Sequence, residues 1–304
     1  MDINKDSTKD KAQLLAYFRD RSDEILGEIG QKYGEKDISL RARKLNTGLV
    51  QSRKAFITTL TRKSSKEGWS AQEVLEAVLM VTYCNYVVML ENRNAIRPYE
   101  YMDFSRRIGE LWEPFCKLCF EYPLNDLELF IPPLFSEVKR KLAKEIDDYI
   151  DDLSITDEQK SQLKRYYGKV WSLVTSGEIK LELDLHFTYE GNKYVVDFKS
   201  GFGSNEKGNT NRLLLVATIY HNMEENYSPL IFVRSKENNN YFNTLKNSGV
   251  WQAYSGGETY DQIKIYAGYD IRQWIDNNID WENDLNDEMV EHLRNNNLLQ
   301  YLVW

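Results

Sequence analysis

Along the first half of the chain apolar residues recur every three to four positions, and near residue 181 that rhythm gives way to strict alternation. The first rhythm predicts helices over about 10–31, 40–63, 71–92, 101–121 and 134–152. Pro98, Pro123, Pro132 and Pro133 fall between these segments, where helix breakers belong. Ser70 and Glu73 are spaced as a capping box before the most apolar stretch, Val74 to Leu90. Glu76 and Asn85 interrupt that stretch and it is short for a membrane span, so it reads as a buried helix. A second capping box, Thr156 to Gln159, opens a helix to about Ser176, with Leu163, Tyr167, Val170 and Val174 as its buried stripe. The acidic run Glu145 to Asp152 precedes that box. It sets the expected boundary between a helical domain, 1–153, and a sheet-bearing domain, 154–304.

The alternation through Leu181, Leu183, Leu185 and Phe187 predicts a strand with Glu182, Asp184 and His186 on its other face. A second strand-forming run, Tyr194 to Lys199, follows Gly191 and Asn192, which make a two-residue turn. With that turn Glu190 faces Lys193, Asp184 sits across from Lys199, and His186 across from Asp197. The diagonal pair Asp184 and Asp197 would then lie about 7–8 Å apart, close enough to share a divalent cation. Ser200 to Arg212 is too polar and glycine-rich to be regular. Beyond it come a helix from Arg212 to Met223, a strand from Pro229 to Arg234, a helix from Tyr241 to Asn247 and a strand from Val250 to Tyr254. The fold class is therefore α/β (α+β), a mixed central sheet flanked by helices, preceded by an all-helical half.

Two acids and a lysine in the pattern D-x12-D-x-K, here Asp184 followed by Asp197, Phe198 and Lys199, resemble the PD-(D/E)xK nuclease superfamily. The resemblance covers roughly residues 157–255, and its subclass is most like a type II restriction endonuclease; the proline of the family name is Leu183 here. It implies a restriction-endonuclease-like core and Mg²⁺-dependent hydrolysis of DNA phosphodiesters, with Mn²⁺ a substitute. By resemblance Asp184, Asp197 and the Phe198 carbonyl bind the metal, Lys199 positions or activates the attacking water, and the enzyme is a homodimer partnered by a cognate DNA methyltransferase. Glu182 is a further candidate ligand, and His186 a residue that orients the ligands by hydrogen bonding.

The chemistry asks for the same groups. Hard oxygen donors select Mg²⁺, which retains several waters and takes only one or two carboxylates. A nearby ammonium supplies a point charge whose pKa burial can pull toward neutrality. Against this, an Asp and a Lys facing each other on a strand pair are often no more than a solvated ion pair worth about 0.2–1 kcal/mol. Two alternatives stay open: a repair, recombination or modification-dependent nuclease on the same fold, and a non-catalytic nucleic-acid-binding or interaction module.

Charge locates the expected partner. The chain carries −8 overall, yet residues 41–66 hold eight basic and no acidic side chains. Arg43, Lys44, Arg53, Lys54, Arg62 and Lys63 flank an amphipathic helix there, as a stripe that would neutralise phosphates of double-stranded DNA. Asn205, Lys207, Asn209, Asn211 and Arg212 at the mouth of the hairpin are residue types that contact phosphates and base edges. Cys84, Cys116 and Cys119 lie in apolar helical stretches and read as packed core thiols. The polar N-terminus has no signal-peptide core, so a cytoplasmic location with no membrane is expected. The acidic, Asn-rich last fifty residues carry Trp274, Trp281, Leu298, Leu299 and Trp304 as anchors, either for the core or for a second subunit.

Overall fold

A computed structural model of the chain describes every residue except 35, 175–178, 204, 205 and 224; of the side chains of Trp171, Leu173 and Val174 nothing is described. Four long helices come first: α1 (Lys11–Lys32), α2 (Ile38–Glu67), α3 (Ala71–Ile96) and α4 (Tyr101–Glu121). Both halves of the Ser70/Glu73 capping box are made at the start of α3. By length and composition α3 could cross a membrane, but 83% of its most apolar window is buried inside the fold. Cys84, Cys116 and Cys119 are free and buried, as their apolar surroundings predict.

After α4 come β1 (Leu127–Leu129), α5 (Phe135–Asp152), α6 (Asp157–Val174), β2 (Leu185–Tyr189) and β3 (Asn192–Lys199). Then follow α7 (Lys207–His221), β4 (Tyr227–Val233), α8 (Asn240–Lys246), β5 (Gln252–Ser255) and α9 (Gly257–Ala267). The chain closes with α10 (Ile271–Asn278), α11 (Trp281–Asp284) and α12 (Asp287–Asn295). The five strands lie side by side in chain order, β1 to β5. The β1–β2 and β2–β3 pairs are antiparallel, while β3–β4 and β4–β5 are parallel through crossover helices α7 and α8. The protein is thus α+β, mostly helical, with one mixed sheet. β1 was not expected, because three residues next to two prolines carry too little alternation to register.

The strand pleat gives the sheet two apolar faces. Leu185, Phe187, Val196, Phe198, Leu230 and Phe232 join one cluster with the side chains of α1, α3, α4, α9, α10 and α12. Val195, Ile231 and Val233 join the other, with Leu213, Val216, Ala217 and Tyr220 of α7 and Phe242 and Leu245 of α8. The first cluster runs from Leu14 to Trp304, across the expected boundary at residue 153. The acidic tail packs on this core. Trp304 meets Phe115 at 4.8 Å and Trp281 at 5.1 Å, and its indole N–H donates to the Ile108 carbonyl at 3.2 Å. Asp284 accepts from Tyr83 at 2.6 Å and pairs with Lys11 at 2.8 Å, tying the two ends of the chain together.

One helix departs from its pattern. Leu163 and Val170 of α6 are exposed, not buried: among the described residues α6 packs mainly on α5, and it is α5 whose Val138 joins the cluster on the α7 side of the sheet. The helix that covers the hairpin is α4, which lies far upstream in sequence.

Candidate active site

The β2–β3 hairpin turns through Glu190 and Gly191, whose φ angles of 49° and 77° fit a type I′ turn. Tyr189 therefore pairs with Asn192 and Leu185 with Val196. This corrects the expected turn at Gly191 and Asn192 and slides the register by two residues. Because side chains alternate with period two, a slide of two keeps every residue on its face and changes only its partner. His186 stands across from Val195, not Asp197. Asp184 meets the Asp197–Phe198 segment instead of Lys199: its N–H donates to the Val196 carbonyl at 3.0 Å and its Oδ2 accepts the Phe198 N–H at 2.7 Å.

The alternation before β2 is also interrupted. The chain bends at Asp184, so Leu181 and Leu183 enter the cluster on the α7 side while Leu185 and Phe187 enter the other. His186 holds the bend, since its Nε2 accepts the Leu183 N–H at 3.1 Å. Accepting there requires a neutral ring with its proton on Nδ1. Burial pushes the imidazole down to about 4, the Lys117 ammonium pushes it the same way, and the Asp184 carboxylate opposes both. Tyr220 of α7 donates to the Leu181 carbonyl at 2.8 Å and anchors the approach to the bend.

Asp197 is 2% exposed at the centre of this arrangement. Burial raises its carboxyl above the usual range and the Asp184 charge adds to the rise, while Lys199 and Arg212 oppose it. Its Oδ2 forms an ion pair with Lys199, and its Oδ1 accepts from an Arg212 guanidinium nitrogen at 3.4 Å. Lys199 Nζ also donates to the Phe198 carbonyl at 3.2 Å. Two oxygens assigned to a metal by resemblance, one on Asp197 and the Phe198 carbonyl, are thus gathered around one positive charge. A buried carboxylate, beside a second carboxylate and a carbonyl, is a donor set suited to Mg²⁺. Glu182 does not join it: that side chain is exposed, and among the described residues no three His, Cys, Asp or Glu side chains form a metal-holding group.

A third acid reaches the site from α4. Glu113 is half-buried beside Lys117 at 3.3 Å, and its carboxyl is raised by burial first and by the Asp184 charge second, with Lys117 and Lys199 opposing. Sequence reasoning missed it, since Glu113 and Asp184 lie on elements brought together only by packing. The packing is tight at Gly109 of α4, where a Cβ would come 2.4 Å from Ser200 Oγ, immediately after Lys199. Ser200 is held in turn by Arg234, whose guanidinium donates to its Oγ at 2.9 Å.

The segment expected to be an irregular loop is helical from Lys207 onward. Glu206 stabilises the start, its carbonyl accepting from Thr210 Oγ1 and its carboxylate from Asn209 Nδ2 at 2.9 Å, while Leu213 sits in the core. Asn209 Oδ1 lies 3.3 Å from Arg212 Nη2 and helps aim that guanidinium at Asp197. Lys207 and Asn211 are exposed, and Asn205 lies outside the described residues. The basic positions of α2 do not form a single stripe. At about 100° per residue, Arg43 and Lys54 share one line, Lys44 and Arg62 another, while Arg53 and Lys63 point elsewhere. Arg53 lies over the Tyr86 ring at 4.9 Å and Lys63 pairs with Asp2 at 2.9 Å. No protein-family model, curated protein or solved structure matches the chain.

Proposed function

We propose that the protein is a Mg²⁺-dependent endodeoxyribonuclease with a restriction-endonuclease-like core, cutting double-stranded DNA at a short specific sequence as type II restriction enzymes do. The observation that carries this reading is the meeting of Asp184, Asp197 and Lys199 at one end of the β2–β3 hairpin, with the Asp197 carboxylate buried there. Asp184, Asp197 and the Phe198 carbonyl would hold Mg²⁺, which when bound lowers the pKa of a water and neutralises charge on the phosphoryl group. The Lys199 side chain reaches the point where the nucleophile and the phosphoryl oxygens must meet, inside a partly desolvated site where a charge counts for more. Arg212, aimed by Asn209, offers a guanidinium to a phosphoryl oxygen. Glu113, whose carboxyl is raised, is a proton acceptor within the same group.

The restriction subclass is supported by a single catalytic core joined to a large helical half that can carry sequence readout. A homodimer cutting both strands, and a methyltransferase protecting the host site, belong to the same proposal. A second reading has one observation in its favour: the Lys199–Asp197 ion pair is complete without a cation, as a binding module would have it. The test is incubation of the purified protein with unmethylated phage DNA, with Mg²⁺ or with EDTA, beside Lys199→Ala and Asp197→Asn. Discrete Mg²⁺-dependent fragments that both variants fail to produce support the proposal. Cleavage only of methylated or branched DNA moves the protein to a repair or modification-dependent nuclease. Binding without cleavage, unchanged by Asp197→Asn, selects the module.

A further inference from the structure

Away from the hairpin, α2, α3 and α4 enclose an open groove of about 500 Å³ lined by Arg43, Arg93, Arg97 and Arg107, with Asn46 and Thr47 among the remaining lining residues. No acid is among its lining residues. The two carboxylates nearest the guanidiniums are shared: Asp103 lies 4.0 Å from Arg93 and 3.5 Å from Arg106, and Glu110 lies 3.4 Å from Arg107 and 3.6 Å from Arg106. Neither Arg43 nor Arg97 has an ion-pair partner among the described residues. Arg93 stacks over the Tyr99 ring at 4.8 Å, which fixes its plane at the groove wall.

Four guanidiniums from three helices converging on one concavity repel one another, and a solvated surface gains nothing from that arrangement. A phosphate relieves the repulsion, because its oxygens accept paired N–H donors and each guanidinium presents a rigid fork. Arg107 and Glu113 both lie on α4, six residues apart, so the helix that walls the groove also reaches the candidate site.

We infer that this groove holds a backbone phosphate of the nucleic-acid strand that enters the candidate site. The phosphate chemistry stands on the arginines alone; the strand as its source rests on the nuclease reading. Arg43 and Arg97 are exposed, so replacing them leaves the helical core intact.

The experiment is fluorescence anisotropy of a labelled duplex in EDTA, titrated with wild type and with the Arg43→Ala/Arg97→Ala double variant over a range of salt, with pyrophosphate as a separate ligand. The expected result is a loss of affinity of about tenfold or more, and a salt slope shallower by about 1, since the one lost phosphate contact removes close to one unit. Equal duplex affinity and slope for the two proteins would overturn the inference while leaving the nuclease reading in place. Arginine-dependent binding of pyrophosphate, with no binding of nucleic acid by wild type, would overturn the strand as the source together with the nuclease reading. Binding of neither ligand would remove the groove as a phosphate site altogether.

Discussion

Replacing Gly109 by alanine tests whether α4 really sits against the end of β3. An added Cβ would lie 2.4 Å from Ser200 Oγ and 2.7 Å from Ser200 Cβ, far inside van der Waals contact. Ser200 cannot simply rotate away, since its Cβ is fixed to the backbone, Arg234 holds its hydroxyl, and Ser235 N–H holds its carbonyl at 3.0 Å. Overpacking of this kind costs about 1–3 kcal/mol. Alanine gains about 1 kcal/mol over glycine inside a helix. Gly109→Ala should therefore destabilise by about 0–2 kcal/mol. The sharper reading comes from a cycle with Ser200→Gly, which removes the atoms that Cβ would strike. In that background Gly109→Ala should stabilise by about 1 kcal/mol, giving a coupling of about 1–3 kcal/mol. Urea unfolding followed by far-ultraviolet circular dichroism measures all four proteins. Additive effects within about 0.5 kcal/mol would refute the contact, and with it the placement of Glu113 beside Asp184.

Other expectations follow from the same geometry. Above about pH 6.5 a buried neutral His186 favours the fold fully; as pH falls toward 4 the unfolded chain gains a proton that the folded one refuses. Stability should then decline through that window by up to about 3 kcal/mol in EDTA, and His186→Gln should lose that component of the decline in a pH series of urea melts. Glu190 occupies a positive-φ position of a type I′ turn, so Glu190→Asn should raise stability by about 0.5–1 kcal/mol; an unchanged or lower midpoint would argue for the other register. Trp304→Ala empties a site between Phe115, Trp281 and the Ile108 carbonyl and should cost about 3–5 kcal/mol, whereas a loss under 1 kcal/mol would mean that the tail is not docked. If the nuclease proposal holds, Glu113→Gln should slow Mg²⁺-dependent cleavage by about 10²-fold with little change in melting temperature.

Local patterns determined most of the elements by themselves. Helical spacing, the Ser70/Glu73 box and the interrupting prolines located α1 to α5, and the order of elements from α6 to β5 followed from periodicity and turn residues. The alternation also put Asp197 and Lys199 on one face of β3, because the face of a strand residue depends only on parity, which survived a two-residue error in register; Asp184 reaches them through the bend before β2, which parity did not foretell. What the chain pattern could not decide was anything set by partners distant in sequence. Whether the apolar face of α6 would be covered, whether the acidic tail would meet the core, and which helix would close over the hairpin all depend on packing. The bend at Asp184 rests on His186 accepting one N–H, a contact that no spacing rule encodes. Glu113 entered the site, and four arginines entered one groove, through the docking of α4 on the sheet and on α3, and of α3 on α2; side-chain chemistry was written in the sequence, but its convergence was a property of the folded core.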